Sequence, residues 1–154
     1  MKIKGEGRVI LKDLKGQTVE DTGWNSNTIT DNFILMLTNG SSVGSLDIFI
    51  HESTAPGRTS RTALNGVYAN QTPSQIRNPD TTSFSESLGL SIFTVQFPAP
   101  AVDRDINIVG LTLNTGVGLG YISGIVAYTA LTTTVPQTTA LTADVQYRIT
   151  WSFT

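Results

Sequence analysis

Cysteine is absent from the 154 residues. That removes a disulfide framework, a thiolate nucleophile and a thiolate metal site, and it leaves the redox compartment open. Histidine occurs once, at His51, so zinc coordination lacks nitrogen and sulfur ligands. A Ser-His-Asp relay would have to pass through that one residue, with serines that stand in no Gly-x-Ser-x-Gly elbow. Charge is also scarce, at 14% of residues against the usual quarter. No stretch approaches the roughly 18 uncharged apolar residues of a membrane span, so no membrane association is expected. Residues 1–7 carry no apolar run behind their lysines, so no secretory signal is expected. A disordered chain needs high net charge to stay open, and this one carries −2. Length and composition therefore predict one folded, weakly acidic domain over 1–154.

The charges that are present sit unevenly. All four lysines, Lys2, Lys4, Lys12 and Lys15, precede residue 16, and with Arg8 they outnumber Glu6 and Asp13. From 106 to 154 the only charged side chains are Asp144 and Arg148. Three explanations fit such a segment: burial within its own domain, a hydroxyl-rich surface on a monomer, or coverage by neighbouring subunits, since interface cores are depleted in charge.

Hydrophobic periodicity is of strand type nearly throughout. Val145, Tyr147, Ile149, Trp151 and Phe153 alternate with Asp144, Gln146, Arg148, Thr150 and Ser152, the period-two pattern of a half-buried strand. Phe93, Val95 and Phe97 alternate in the same way and stop at Pro98-Ala99-Pro100, which cannot continue a central ladder. Segments 106–113 and 121–128 are apolar on both faces, as in strands buried on two sides. Segments 7–13 and 17–24 flank Leu14-Lys15-Gly16 with the spacing of a β-hairpin, and 46–51 is a further strand candidate. One short helix is expected, with Thr30 as N-cap, an apolar block over 33–37 and Asn39-Gly40 as its stop. From 53 to 87 the chain is mostly Ser, Thr, Asn, Arg, Gly and Pro and reads as a long irregular segment, either a loose connection with one short strand around Val67 or Ile76 or a contact arm. The sum is an all-β fold: a β-sandwich of jelly-roll type with one short helix and an extended loop or contact arm over 53–87.

The motifs that carry chemistry elsewhere are weak here. Asp103-Arg104-Asp105 offers too few oxygens for calcium and reads as a solvated turn. Gly116-x-Gly118-x-Gly120 precedes a strand pattern rather than a helix, unlike a dinucleotide-binding turn. An isoelectric point near 5.2 argues against specific nucleic-acid binding, and Arg58, Arg61 and Arg77 suit an acidic protein neighbour equally well. No catalytic residue, metal site or cofactor is expected.

The order of these features resembles small structural proteins of tailed-bacteriophage virions. The resemblance lies in the front hairpin from Arg8 through Gly16, then Asp21-Thr22-Gly23-Trp24 and Asn27-Thr28-Ile29-Thr30-Asp31. It continues in Ile108-Val109-Gly110-Leu111, Tyr128, Val135-Pro136-Gln137-Thr138 and the closing run from Leu141 to Trp151. It covers the two ends of the chain and implies a non-enzymatic virion component, made in the host bacterial cytoplasm and assembled with copies of itself and other virion proteins as a homo-oligomer. The expected partner contacts are Arg58, Arg61, Arg77, Arg148, Tyr147 and Trp151. The alternative is a receptor- or carbohydrate-binding module of a phage fibre, with Tyr68, Phe84 and Tyr121 as stacking platforms.

Overall fold

The computed structural model describes residues 2–26, 28–29, 45–52, 75–85, 88–114 and 125–152. Two antiparallel sheets account for most of them. The first holds β1 (Lys2–Lys12), β2 (Thr18–Asp21), β3 (Asn25–Ser26), β7 (Thr81–Ser85), β8 (Leu90–Phe97) and β11 (Thr142–Ser152), in the order β2-β1-β11-β8-β7 with β3 also on β1. The second holds β4 (Thr28–Ile29), β5 (Ser45–His51), β6 (Gln75–Arg77), β9 (Arg104–Asn114) and β10 (Ile125–Gln137), in the order β4-β10-β9-β5-β6.

β11 behaves as its alternation predicts. It lies between β1 and β8, with Ala143, Val145, Tyr147 and Ile149 buried and Thr142, Asp144, Gln146, Arg148 and Thr150 on the other face. The inward residues meet Val9 and Leu11 of β1, Val95 and Phe97 of β8, and Ile48, Ile50, Val109, Leu111, Ala127 and Val135 from the second sheet. Gly7 lets the sheets come close: a Cβ there would lie 2.7 Å from Val109 Cγ2 and 3.0 Å from Thr129 Oγ1.

The front hairpin is set by its turn. The Asp13 carboxylate accepts hydrogen bonds from the Lys15 and Gln17 amides, both at 2.9 Å, and Gly16 takes a φ of 80° that favours glycine. β8 ends at Pro98 as expected, and β5 coincides with the candidate at 46–51.

β9 is buried on both faces by this one chain. Ile48 and Ile50 pair with Leu111 and Val109 on the core side. On the opposite side Phe49 pairs with Gly110, which in turn pairs with Tyr128, and Phe49, Ile108 and Tyr128 are also buried. Past Arg104 and Asp105, the lack of charge in β9 follows from burial within the chain itself.

Several expectations change. The helix expected over 30–39 and the glycine-rich turn at 116–120 lie outside the described residues, and no helix occurs among the described ones. Within 53–87 the short strand expected around Ile76 is β6 on the second sheet, and a further strand that was not expected, β7, joins the first. The strand expected over 121–128 is described from Ile125 and continues to Gln137; its ladder shifts register between Ala130 and Val135, which lets Pro136 pair opposite Asp105.

Candidate functional site

The outer face of the first sheet concentrates the chain's ionic side chains. β1 alternates buried Gly5, Gly7, Val9 and Leu11 with outward Lys4, Glu6, Arg8, Ile10 and Lys12. Register places Glu6 directly opposite Arg148 of β11, and Arg148 Nε donates to Glu6 Oε2 at 2.5 Å. Lys4 Nζ reaches the other oxygen of the same carboxylate at 2.8 Å. Arg8 forms a two-pronged pair with Asp21 of β2, and Lys12 Nζ lies 2.6 Å from Asp144 Oδ2. Trp24, just past β2, caps this row: the Arg148 guanidinium carbon sits 4.0 Å from its ring centroid and that of Arg8 5.8 Å. The Arg148 and Lys4 hydrogen bonds hold the Glu6 carboxyl below the usual carboxylate range, and Arg8 does the same to Asp21.

Beside Arg148 the face dips into an open groove of about 490 Å³. Lys4, Glu6 and Arg148 form one side, Leu88 and Leu90 the other, and Thr150, Trp151 and Ser152 complete it. Leu88 is 69% exposed although it is apolar. Gly89, at a φ of 57°, sets the turn beside it, and its carbonyl accepts a hydrogen bond from the Trp151 amide at 2.9 Å. Phe84 of the edge strand β7 is 65% exposed and stacks on the Trp151 ring with centroids 5.6 Å apart.

At one end of the sandwich, Glu52, the turn residue Asp103 and the first two residues of β9, Arg104 and Asp105, which were expected in a turn, border a second hollow with Pro136, Gln137 and Thr138. Gln137 is buried; its Oε1 accepts from Arg104 Nε at 2.8 Å and its Nε2 donates to the Leu141 carbonyl at 3.0 Å. The Asp103 carboxylate accepts the Thr139 amide at 3.0 Å. These bonds give the turn a structural task, and no group of three metal-ligating side chains occurs among the described residues. His51 ends β5, and burial pushes its imidazole below the ordinary histidine value.

The predicted partner contacts scatter. Arg58 and Arg61 lie outside the described residues, as do Tyr68 and Tyr121. Arg77 is exposed on β6 and donates to the Gln96 carbonyl. Tyr147 as a contact is a correction: its side chain is 0% exposed, because the inward parity of β11 sends it into the core. Arg148 is half-exposed, but its charge already meets Glu6 and Trp24 of its own chain. Trp151 is half-buried and touches both the groove and Phe84. Only Arg148 and Trp151 come together, and they do so in a groove whose other members, Lys4, Glu6, Leu88 and Leu90, sequence reasoning missed. The available signal was the even-numbered run Lys4, Glu6, Arg8 on one strand face.

No family model matches the chain, and neither a curated protein nor a solved structure does.

Proposed function

We propose that this protein is a non-enzymatic structural component of a tailed-phage virion, made in the host bacterial cytoplasm, which assembles with copies of itself and other virion proteins through uncharged β-surfaces. The observation that carries the reading is β7, the edge strand of the first sheet among the described residues. Thr81, Thr82, Ser83 and Phe84 are all exposed, and the strand contains neither charge nor proline. Edge strands of proteins that stay apart are ordinarily blunted by such residues. An antiparallel copy of β7 centred on Ser83 would continue the sheet across a two-fold axis and set Phe84 opposite Thr82 of the other copy. Placement in a virion rests on the resemblance of strand order and motifs. The jelly-roll assignment draws support from nested partners, β1 with β11, β4 with β10, β5 with β9 and β7 with β8, the order left by a long antiparallel hairpin rolled on itself.

The test is solution mass by sedimentation together with fractionation alongside phage particles. The wild type is expected as an oligomer, and Ser83→Lys, which sets two like charges against each other at the centre of the pairing, should dissociate it while leaving its circular dichroism unchanged. A wild type that stays monomeric at high concentration, or a Ser83→Lys oligomer of unchanged mass, would refute the reading.

A second reading, a receptor- or carbohydrate-binding module of a phage fibre, is favoured by the groove beside Arg148, where polar side chains face an exposed leucine wall.

A further inference from the structure

The geometry points to the groove on the outer face of the first sheet as a binding site for an acidic saccharide, a sugar unit bearing a carboxylate. This inference rests on the carbohydrate-binding reading and specifies its ligand.

The charge count is the first argument. Elsewhere on this face cations and carboxylates pair one to one, Arg8 with Asp21 and Lys12 with Asp144. At the groove, Lys4 and Arg148 share the single carboxylate of Glu6. Within this cluster of three side chains the cations exceed the carboxylates by one. Lys4 is the mobile partner, with 63% of its side chain exposed, whereas Arg148 is fixed by Glu6 and Trp24. A ligand carboxylate would complete the count by drawing on Lys4 and the outward edge of the Arg148 guanidinium.

The shape supplies the second argument. A groove of about 490 Å³ lies within the range of small-ligand sites and has room for one or two sugar rings. Leu88 and Leu90 offer apolar surface for the C–H face of a ring, and register sets Thr150 between Leu90 of β8 and Lys4 of β1. The groove is open rather than tunnel-like, which suits a ring better than an alkyl chain. β11 and β8 have paired neighbours on both sides along the groove, whereas β1 is flanked there by β11 and, at Glu6 and Gly7, by β3. Over the part of the floor formed by β11 and β8 the main chain is already engaged in the ladders, so recognition there falls to side chains.

The experiment is an NMR titration of the full chain with tri-galacturonic acid, its neutral methyl ester and acetate alone, followed at the Trp151 indole and the Lys4 and Leu90 amides. The acid should bind at least tenfold more tightly than the ester, and the preference should weaken as salt is raised. Lys4→Gln and Leu88→Ser, both at exposed positions, should each weaken the acid about tenfold, the loss of one good contact. Lys12→Gln, on the same face but paired with Asp144, should leave binding unchanged. Equal binding of acid and ester overturns the acidic-ligand assignment while the carbohydrate reading stands. Absence of binding by either overturns both. Acetate that reproduces the acid's shifts at the same concentration overturns the saccharide, leaving a bare anion site.

Discussion

Gly110→Ala tests whether the charge-poor second sheet is closed by its own chain or awaits a neighbour. A Cβ at position 110 would lie 2.6 Å from Phe49 Cε1 and 2.7 Å from Cζ, and would press on the Ala127 carbonyl oxygen. Phe49 is 1% exposed, so its ring cannot simply swing into solvent. The carbonyl belongs to the facing strand and cannot retreat without opening the ladder. Overpacking of this kind costs about 1–3 kcal/mol, and two rigid neighbours put Gly110→Ala near the top of that range. Removing a glycine from a strand returns roughly 0.5–1 kcal/mol, which leaves a net loss of about 2 kcal/mol. At about 2–4 °C per kcal/mol for a chain of this size, Tm should fall by about 4–8 °C. Urea unfolding of the dissociated subunit measures the loss directly, as a lower midpoint at constant slope. In a Phe49→Leu background the ring contact disappears and the carbonyl contact remains, so the cost of Gly110→Ala should shrink by about 1 kcal/mol without vanishing. A cost below about 0.5 kcal/mol would refute the argument. So would an unchanged subunit stability with an altered oligomer mass, since that places the Phe49–Gly110–Tyr128 row between subunits.

Other positions respond in ways that can be measured. Arg148→Met removes the donor at 2.5 Å from Glu6 and the cation over Trp24, and should lower stability by about 1–2 kcal/mol in chemical unfolding. Glu6 and Asp21 are held below their ordinary carboxylate range, so their contribution is complete above about pH 4.5 and is lost as pH falls through their folded values. In Arg148→Met the folded Glu6 value moves back toward the unfolded one, so the Glu6 part of that acid loss should shrink; superimposable stability–pH curves would contradict the pairing. His51 is held below its ordinary value, so the unfolded chain binds its proton first and stability should decline as pH drops below about 6.5; His51→Gln should flatten that limb in thermal melts. Asp13→Ala loses the carboxylate that accepts the Lys15 and Gln17 amides and should cost about 1 kcal/mol, with fraying of β2 visible in amide exchange.

What could be read in the chain depended on whether a strand had one buried face. β11 alternates because one side meets the core and the other meets ionic and hydroxyl partners, and β8 was bounded because Pro98 stops its ladder. β10 was expected only to residue 128, and its continuation to Gln137 runs through exposed Thr132, Thr133 and Thr134 and a register shift before Val135, where apolar alternation gives no signal. β7 was hidden for a different reason. It is short and exposed along most of its length, so nothing demands alternation from Thr-Thr-Ser-Phe-Ser. The groove was concealed by glycine: Gly5 and Gly7 fill the inward positions of β1, so the strand lacks the apolar beats that would have shown Lys4, Glu6 and Arg8 to share a face. Trp24 lies after a strand end, where periodicity carries no information.

The scarcity of charge after residue 105 therefore has two separate causes. In β9 it reflects burial on both faces of a strand inside one chain, which no partner is needed to explain. In β11 it reflects a strand whose outward charges, Asp144 and Arg148, find their counterparts on β1 in Lys12 and Glu6. The lysine-rich start and the ion-poor end are thus halves of one electrostatic arrangement, joined through the β1–β11 ladder. A face so neutralised has little long-range field with which to attract or repel a second copy. The proposed assembly therefore rests on the uncharged strand β7, and the proposed recognition of a charged ligand on Lys4 and Arg148, which share the Glu6 carboxylate.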